Sequence, residues 1–200
     1  MKFLSRFSKQ PRTTPDAYPD IRPYNSPTGG RRKTPVPDRI ERFYVPLAVL
    51  QATSHFMRRF AEQRRECYAW WGGYFTDREA QVVTALCPDI QTQFGHIRLG
   101  TKELMALHNE LRRLDHALLV ELHSHPPGCG GQNDVDAAHP AATYPGFITI
   151  VVPDFGLPRF YDLSDSHVYE YIHANHWRQL THSEIRSRFV IEEASLLVRP

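Results

Sequence analysis

Cysteine is scarce in this chain: Cys67, Cys87 and Cys129 are the only three in 200 residues. They form no Cys-x-x-Cys pair and their number is odd, which argues against a disulfide framework and for a reducing compartment. Long apolar runs are missing too. None approaches the roughly 20 residues of a membrane-spanning helix, and Met1-Lys2-Phe3-Leu4-Ser5-Arg6 lacks the apolar core of a signal peptide. A soluble, cytoplasmic protein with no membrane partner is the expectation. Nor does one sign of charge dominate: 24 Lys and Arg stand against 22 Asp and Glu, a net +2 with His neutral. No strong global field draws nucleic acid, and none is expected as a partner. There is no internal repeat, no Walker-type loop and no Gly-x-Gly-x-x-Gly.

What is present divides unevenly. Residues 1–37 contain Pro11, Pro15, Pro19, Pro23, Pro27, Pro35 and Pro37, and their Lys and Arg outnumber the acids Asp16 and Asp20. Such a segment buries too little apolar surface to offset its ordering entropy. It reads as a flexible arm or a docking arm, with Tyr18 and Tyr24 as the side chains that would enter a groove. Residues 38–200 read as one domain of ordinary composition, the whole chain being 41% hydrophobic.

Within that domain the periodicities predict a mixed order of strands and helices. Phe43-Tyr44-Val45 reads as a strand. Pro46 suits a first helical turn, and Leu47, Leu50, Phe56, Met57 and Phe60 recur at helical spacing to about Gln63. Glu66–Phe75 and Ala80–Leu86 read as strands joined by Thr76-Asp77-Arg78. Cys87–Leu99 has no clear period. Thr101 opens a second helix with Leu104, Leu107, Leu111 and Leu114 on one face. Asp134–His139 reads as a helical turn with Asp134 available as its cap. Phe147–Val152 reads as a buried strand, Arg159–Leu163 and His167–Ile172 as two more, and Thr181–Phe189 as a short helix followed by a strand-like or frayed tail.

The rest is organised around Glu121-Leu122-His123-Ser124-His125-Pro126-Pro127. The apolar run Ala117-Leu118-Leu119-Val120 leads into it as a strand, and side chains two apart on a strand share a face. His123 and His125 therefore point together. Pro126, Pro127, Gly128, Gly130 and Gly131 end the strand, and a loop brings the chain to Asp136. Two imidazoles and a carboxylate make three protein ligands, the usual number for a catalytic zinc that keeps a position for water. Asp134 is the rival carboxylate. Eleven His is a high count, but His55, His173, His176 and His182 lack ligand spacing, and His139 reads as a helix-end residue.

His-x-His-Pro, with ten residues between the second His and an Asp, resembles the signature of the JAMM (MPN-plus) metalloproteases. Glu66, heading Glu66-Cys67-Tyr68-Ala69-Trp70-Trp71-Gly72-Gly73, is similar to that family's general base ahead of a small-residue strand. The resemblance spans roughly Arg39 to His173. It implies an α/β (α+β) fold of the MPN/JAB, cytidine-deaminase-like kind, a mixed β-sheet flanked by helices. It implies Zn2+ on His123, His125 and Asp136, with Glu66 as base. The family's usual Ser three residues before the Asp is Asn133 here, whose amide can donate to an oxyanion. Ser124 is the other donor nearby, but as the residue between the two His it should face away from the metal.

The implied activity is cleavage of a peptide or isopeptide bond after the C-terminal tail of a ubiquitin-like protein, in precursor processing or deconjugation. The compact chain looks like stand-alone bacterial members of ubiquitin-like conjugation systems, whose E1/E2-like enzymes are further expected partners. Phe94, Gly95 and His96 fall where such enzymes carry a substrate-contacting insertion. The rival readings are a non-catalytic MPN-type scaffold and a DNA-associated protein of the RadC type.

Overall fold

Among the described residues eight strands form a single mixed sheet, with helices on both of its faces. The computed structural model describes residues 39–88, 100–157 and 161–193. The 1–37 arm and the Phe94-Gly95-His96 candidates lie outside the described residues. In chain order the elements are β1 (Arg42–Pro46), α1 (Leu47–Ala61), β2 (Tyr68–Thr76), β3 (Glu79–Leu86), α2 (Thr101–Arg113), β4 (Ala117–Ser124), α3 (Asp134–Ala138), β5 (Ile148–Val152), β6 (His167–His173), β7 (His176–Gln179), α4 (His182–Arg188) and β8 (Phe189–Glu192). The strand order is β7-β6-β5-β4-β2-β3-β1-β8. β4 runs parallel to β5 and antiparallel to β2, and β1 runs parallel to both β3 and β8. The expected mixed sheet flanked by helices is what the chain forms.

Trp70 and Trp71 show how the layers arise. Adjacent strand residues face opposite ways, and both indoles are fully buried, so both faces of β2 must be covered. Trp71 lies under α1, its Nε1 donating to the Thr53 hydroxyl at 2.9 Å. Trp70 lies under α2, its ring edge-on to His108 at 4.8 Å. Each helix meets its face through an apolar stripe at helical spacing: Val49, Leu50, Phe56, Met57 and Phe60 on α1, and Leu104, Leu107 and Leu111 on α2. Between the two tryptophans and the turn at Asp77, β2 slips register at Gly72 and Gly73. A Cβ on Gly73 would stand 1.8 Å from the carbonyl oxygen of Gln81, so the irregular ladder admits no side chain there.

The sheet curls until its two ends communicate. Buried Arg188 of α4 donates from Nη2 to the Ile40 carbonyl at 2.6 Å and lies 2.8 Å from Glu170 of β6. Glu170 also accepts from Arg178 of β7 at 2.7 Å. Burial pushes the Glu170 carboxyl up, but the hydrogen bonds and charges of Arg178 and Arg188 outweigh it and hold the group below its ordinary value.

Three expectations are corrected by the fold. The strand expected from Glu66 begins at Tyr68, because the Cys67 N–H turns to a side chain, the Ser124 hydroxyl, rather than to a ladder partner. Of the strand expected over Arg159–Leu163, residues 159 and 160 lie outside the described residues, and the described 161–163 are bends, Leu163 with φ 63°, which no pleated strand accommodates. Its side chain is nonetheless fully buried, so the apolar signal was one of packing. The β7 strand was not anticipated. It pairs with β6 through a two-residue turn, Ala174 and Asn175, both at positive φ. The tail after α4 pairs as β8 in parallel with β1.

Gly73→Ala should cost about 1–3 kcal/mol in urea denaturation, the usual penalty of overpacking, because backbone must give way. Gly130→Ala, whose new Cβ would meet nothing within 4 Å, should stay within about 0.5 kcal/mol of the parent. Equal effects would show that the bulge is not constrained as described.

Candidate metal centre

The centre forms where β4 runs out. The ladder to β5 continues one residue past the strand, with the His125 N–H donating to the Val152 carbonyl at 2.9 Å. Pro126 has no N–H to carry it further. His123 and His125 therefore sit on one face with ring centroids 4.9 Å apart, both buried. Ser124 points the other way, as alternation requires. The chain then folds back through Pro126–Gly131, and the carbonyl of Gly130 stands 3.1 Å from His125 Nδ1. A carbonyl only accepts, so Nδ1 carries the proton and Nε2 is the nitrogen that faces Asp136. Gly131 lies so close over Tyr169 that a Cβ would fall 1.8 Å from its hydroxyl oxygen.

Asn133 then starts α3. Its Oδ1 accepts from the N–H groups of Val135 and Asp136 at 2.8 and 3.0 Å, and Asp136 Oδ2 accepts from the Asn133 N–H at 3.0 Å. This is a reciprocal capping box. Asp134, the residue expected to cap, is instead the exposed first residue of the helix. The same Oδ2 of Asp136 lies 3.5 Å from His123 Nε2 and 3.2 Å from His125 Nε2. The rival Asp134 is not part of this group. His139 caps the C-terminus of α3 and is exposed.

His123, His125 and Asp136 fit a zinc ion on three grounds. Their ligand atoms all lie within 4.8 Å of one another. Ligands about 2.0–2.1 Å from a tetrahedral zinc stand about 3.3–3.4 Å from each other, which the two imidazole–carboxylate distances bracket. Finally, His123 Nε2 is buried and meets nothing closer than Asp136 Oδ2 at 3.5 Å, a weakly satisfied polar atom that a ligated ion would engage fully. The electrostatics agree. Burial alone would raise the Asp136 carboxyl, but the two imidazoles and the Asn133 N–H hold it well below the usual carboxylate range. Burial lowers His125, and Asp136, the Gly130 carbonyl and the charge of Glu66 more than reverse it.

Glu66 lies in the link between α1 and β2 and is buried. Its charge reaches the candidate ligand His125. The next residue anchors it: Cys67 donates its N–H to the Ser124 hydroxyl at 2.9 Å and accepts from the Ser124 N–H at 3.0 Å. Ser124 is thereby committed to Cys67 rather than to an oxyanion. The Asn133 Oδ1 is committed to its cap, leaving Nδ2 as that side chain's donor. Burial pushes the Cys67 thiol up to about 12 and Cys87 to about 11, so neither is a ready nucleophile.

Sequence reading missed Glu121. It shares the face of His123 and is buried, accepting from the hydroxyls of Tyr68 and Thr149 and the N–H of Ala141. Burial raises its carboxyl, against the opposing influence of His123 and these donors. The signal was an acid inside the otherwise apolar run before His123.

No family model and no curated protein matches the chain. Among solved structures, the chain is similar to a protein from Desulfitobacterium hafniense determined in solution, with TM-score 0.56 and 12% identity over 76% of this chain and 94% of that one. It is also matched to a JAB1/MPN domain protein from Archaeoglobus fulgidus, with TM-score 0.41 and 11% identity over 76% of this chain and 99% of that one. The first similarity is one of fold, and the second is looser still. Among the described residues no helix is long and apolar enough to cross a membrane.

The purified chain should bind one zinc per molecule, measured by elemental analysis and chelator competition. Free zinc at a hundred times its Kd should stabilise the fold by about 2.7 kcal/mol. His125→Ala and Asp136→Asn should abolish both effects, and Asp134→Asn should preserve them. Loss in Asp134→Asn with retention in Asp136→Asn would reassign the carboxylate ligand.

Proposed function

We propose that this chain is a zinc-dependent peptidase or isopeptidase of the JAMM (MPN-plus) kind, cleaving after the C-terminal tail of a ubiquitin-like protein. The observation that carries the proposal is the gathering of His123, His125 and Asp136, their ligand atoms within 4.8 Å of one another, with a buried Glu66 near enough for its charge to act on His125. A bound zinc would supply Lewis acidity and acidify water toward neutral pH.

The chain's own residues do the rest in this reading. Glu66 accepts the proton of the attacking water and returns it to the leaving amine. The Gly130 carbonyl holds His125 in the tautomer that leaves Nε2 free to ligate. Asn133 keeps Asp136 in place and offers its Nδ2 to the developing oxyanion. Two strands separate β4 from the β7 edge and three from the β8 edge. A substrate tail therefore reaches the centre past the end of β4 and the Pro126–Gly131 turn, where a narrow, glycine-like terminus fits best. A bacterial, cytoplasmic conjugation system with E1/E2-like enzymes is the setting that this reading implies.

The test is cleavage of a ubiquitin-like protein extended beyond its C-terminal glycine, with and without chelator. Glu66→Gln should retain zinc and lose about 10²–10⁴-fold in rate, the usual contribution of a general acid–base. Zinc should restore the chelated parent. Full zinc occupancy with no cleavage across a panel of such precursors and conjugates would favour a binding scaffold over an enzyme.

A further inference from the structure

Glu121 is buried beside the centre, and nothing in the proposed chemistry uses it. It lies two residues before His123 on β4, on the same face, and is 3% exposed. Its Oε2 accepts from the Tyr68 hydroxyl at 2.7 Å and the Ala141 N–H at 2.8 Å, and its Oε1 from the Thr149 hydroxyl at 3.1 Å. The three donors come from three separate pieces of chain. Tyr68 opens β2, two residues after Glu66. Thr149 is on β5. Ala141 follows α3, five residues beyond Asp136. The Tyr68 ring, pinned through its hydroxyl, stacks on the ring of His123, with centroids 6.5 Å apart and planes at 12°. A carboxylate buried within a sheet is costly where apolar packing would serve as well. Full satisfaction at this junction gives it a positional role.

We infer that Glu121 is the positioning residue of the centre. Through Tyr68 it fixes the His123 ring, and through Tyr68 and Ala141 it sets the segments carrying Glu66 and Asp136 against β4. It acts through other groups and touches neither metal nor substrate. The inference rests on the metal reading above for the identity of what is positioned.

Three variants of the full chain test it: Glu121→Leu, Glu121→Gln and Tyr68→Phe. Gln keeps an oxygen for Tyr68 and Ala141 and can donate to the Thr149 oxygen. The readouts are zinc affinity by chelator competition, the visible spectrum of the cobalt-substituted protein, and the His123 ring NMR signals of the metal-free protein. Glu121→Leu should weaken zinc binding about 10–100-fold, as loss of outer-shell support does, alter the cobalt absorption and shift the His123 signals. Glu121→Gln should restore most of each, and Tyr68→Phe should fall between. A folded Glu121→Leu with parental affinity, cobalt spectrum and His123 signals would overturn the inference, since a role in stability alone moves none of them. If Glu121→Leu does not fold, Tyr68→Phe decides on the same three readouts. Should the parent take up no metal, the peptidase reading falls by itself. The metal-free ring signals then decide the clamp, and unmoved signals would sink it.

Discussion

The junction of Cys67 with Ser124 is the constraint on which the site depends. Both backbone groups of Cys67 are spent on Ser124, one on its hydroxyl and one on its N–H. Ser124 is the residue between the two histidines, and Cys67 is the residue after Glu66. One pair of bonds therefore fixes Glu66 relative to both imidazoles, across 57 residues of sequence. The alternation of the strand does the sorting: what faces Cys67 cannot face the centre, and what flanks Ser124 must. A serine here meets both demands, being small enough for a fully buried position and able to satisfy an N–H that has no ladder partner.

Much of this was legible in the sequence, and the reason is periodicity. Period two brought His123 and His125 together, and the prolines and glycines after them announced the turn that carries Asp136. The helical stripes of α1 and α2 are long enough to stand out against their polar faces, so their burial followed from spacing. The β4 run read correctly as a strand, and the structure buries it on both faces. The failures share a cause as well. Short segments such as β7 take their structure from a neighbour rather than from their own pattern, and four residues carry too little periodicity to be recognised. Leu163 had the composition of a strand but is an isolated plug in a bend. Composition reports burial there, and burial does not specify backbone.

The polar interior was the least legible part. Glu121, Glu170 and Arg188 are buried groups whose partners lie on other strands, and no local pattern names those partners. What the sequence did offer was anomaly: an acid within Leu-Val-Glu-Leu, where strand propensity and burial both disfavour it. Such violations mark places where geometry outranks local preference. Here they fall at two structural junctions, the start of the centre and the closure of the curled sheet.

Asp136 ties local folding to the proposed chemistry. A helix of five residues has no stability of its own, and α3 is held by the reciprocal box of Asn133 and Asp136. The Oδ2 that completes that box is the atom presented to both imidazoles. The cap thus sets the carboxylate rotamer before any ion arrives, and the Gly130 carbonyl does the same for the His125 tautomer. Orienting ligands in advance reduces the ordering that an incoming ion must otherwise impose. Asparagine is among the strongest of helix caps, so Asn133 suits the position that holds the Asp136 carboxylate in place.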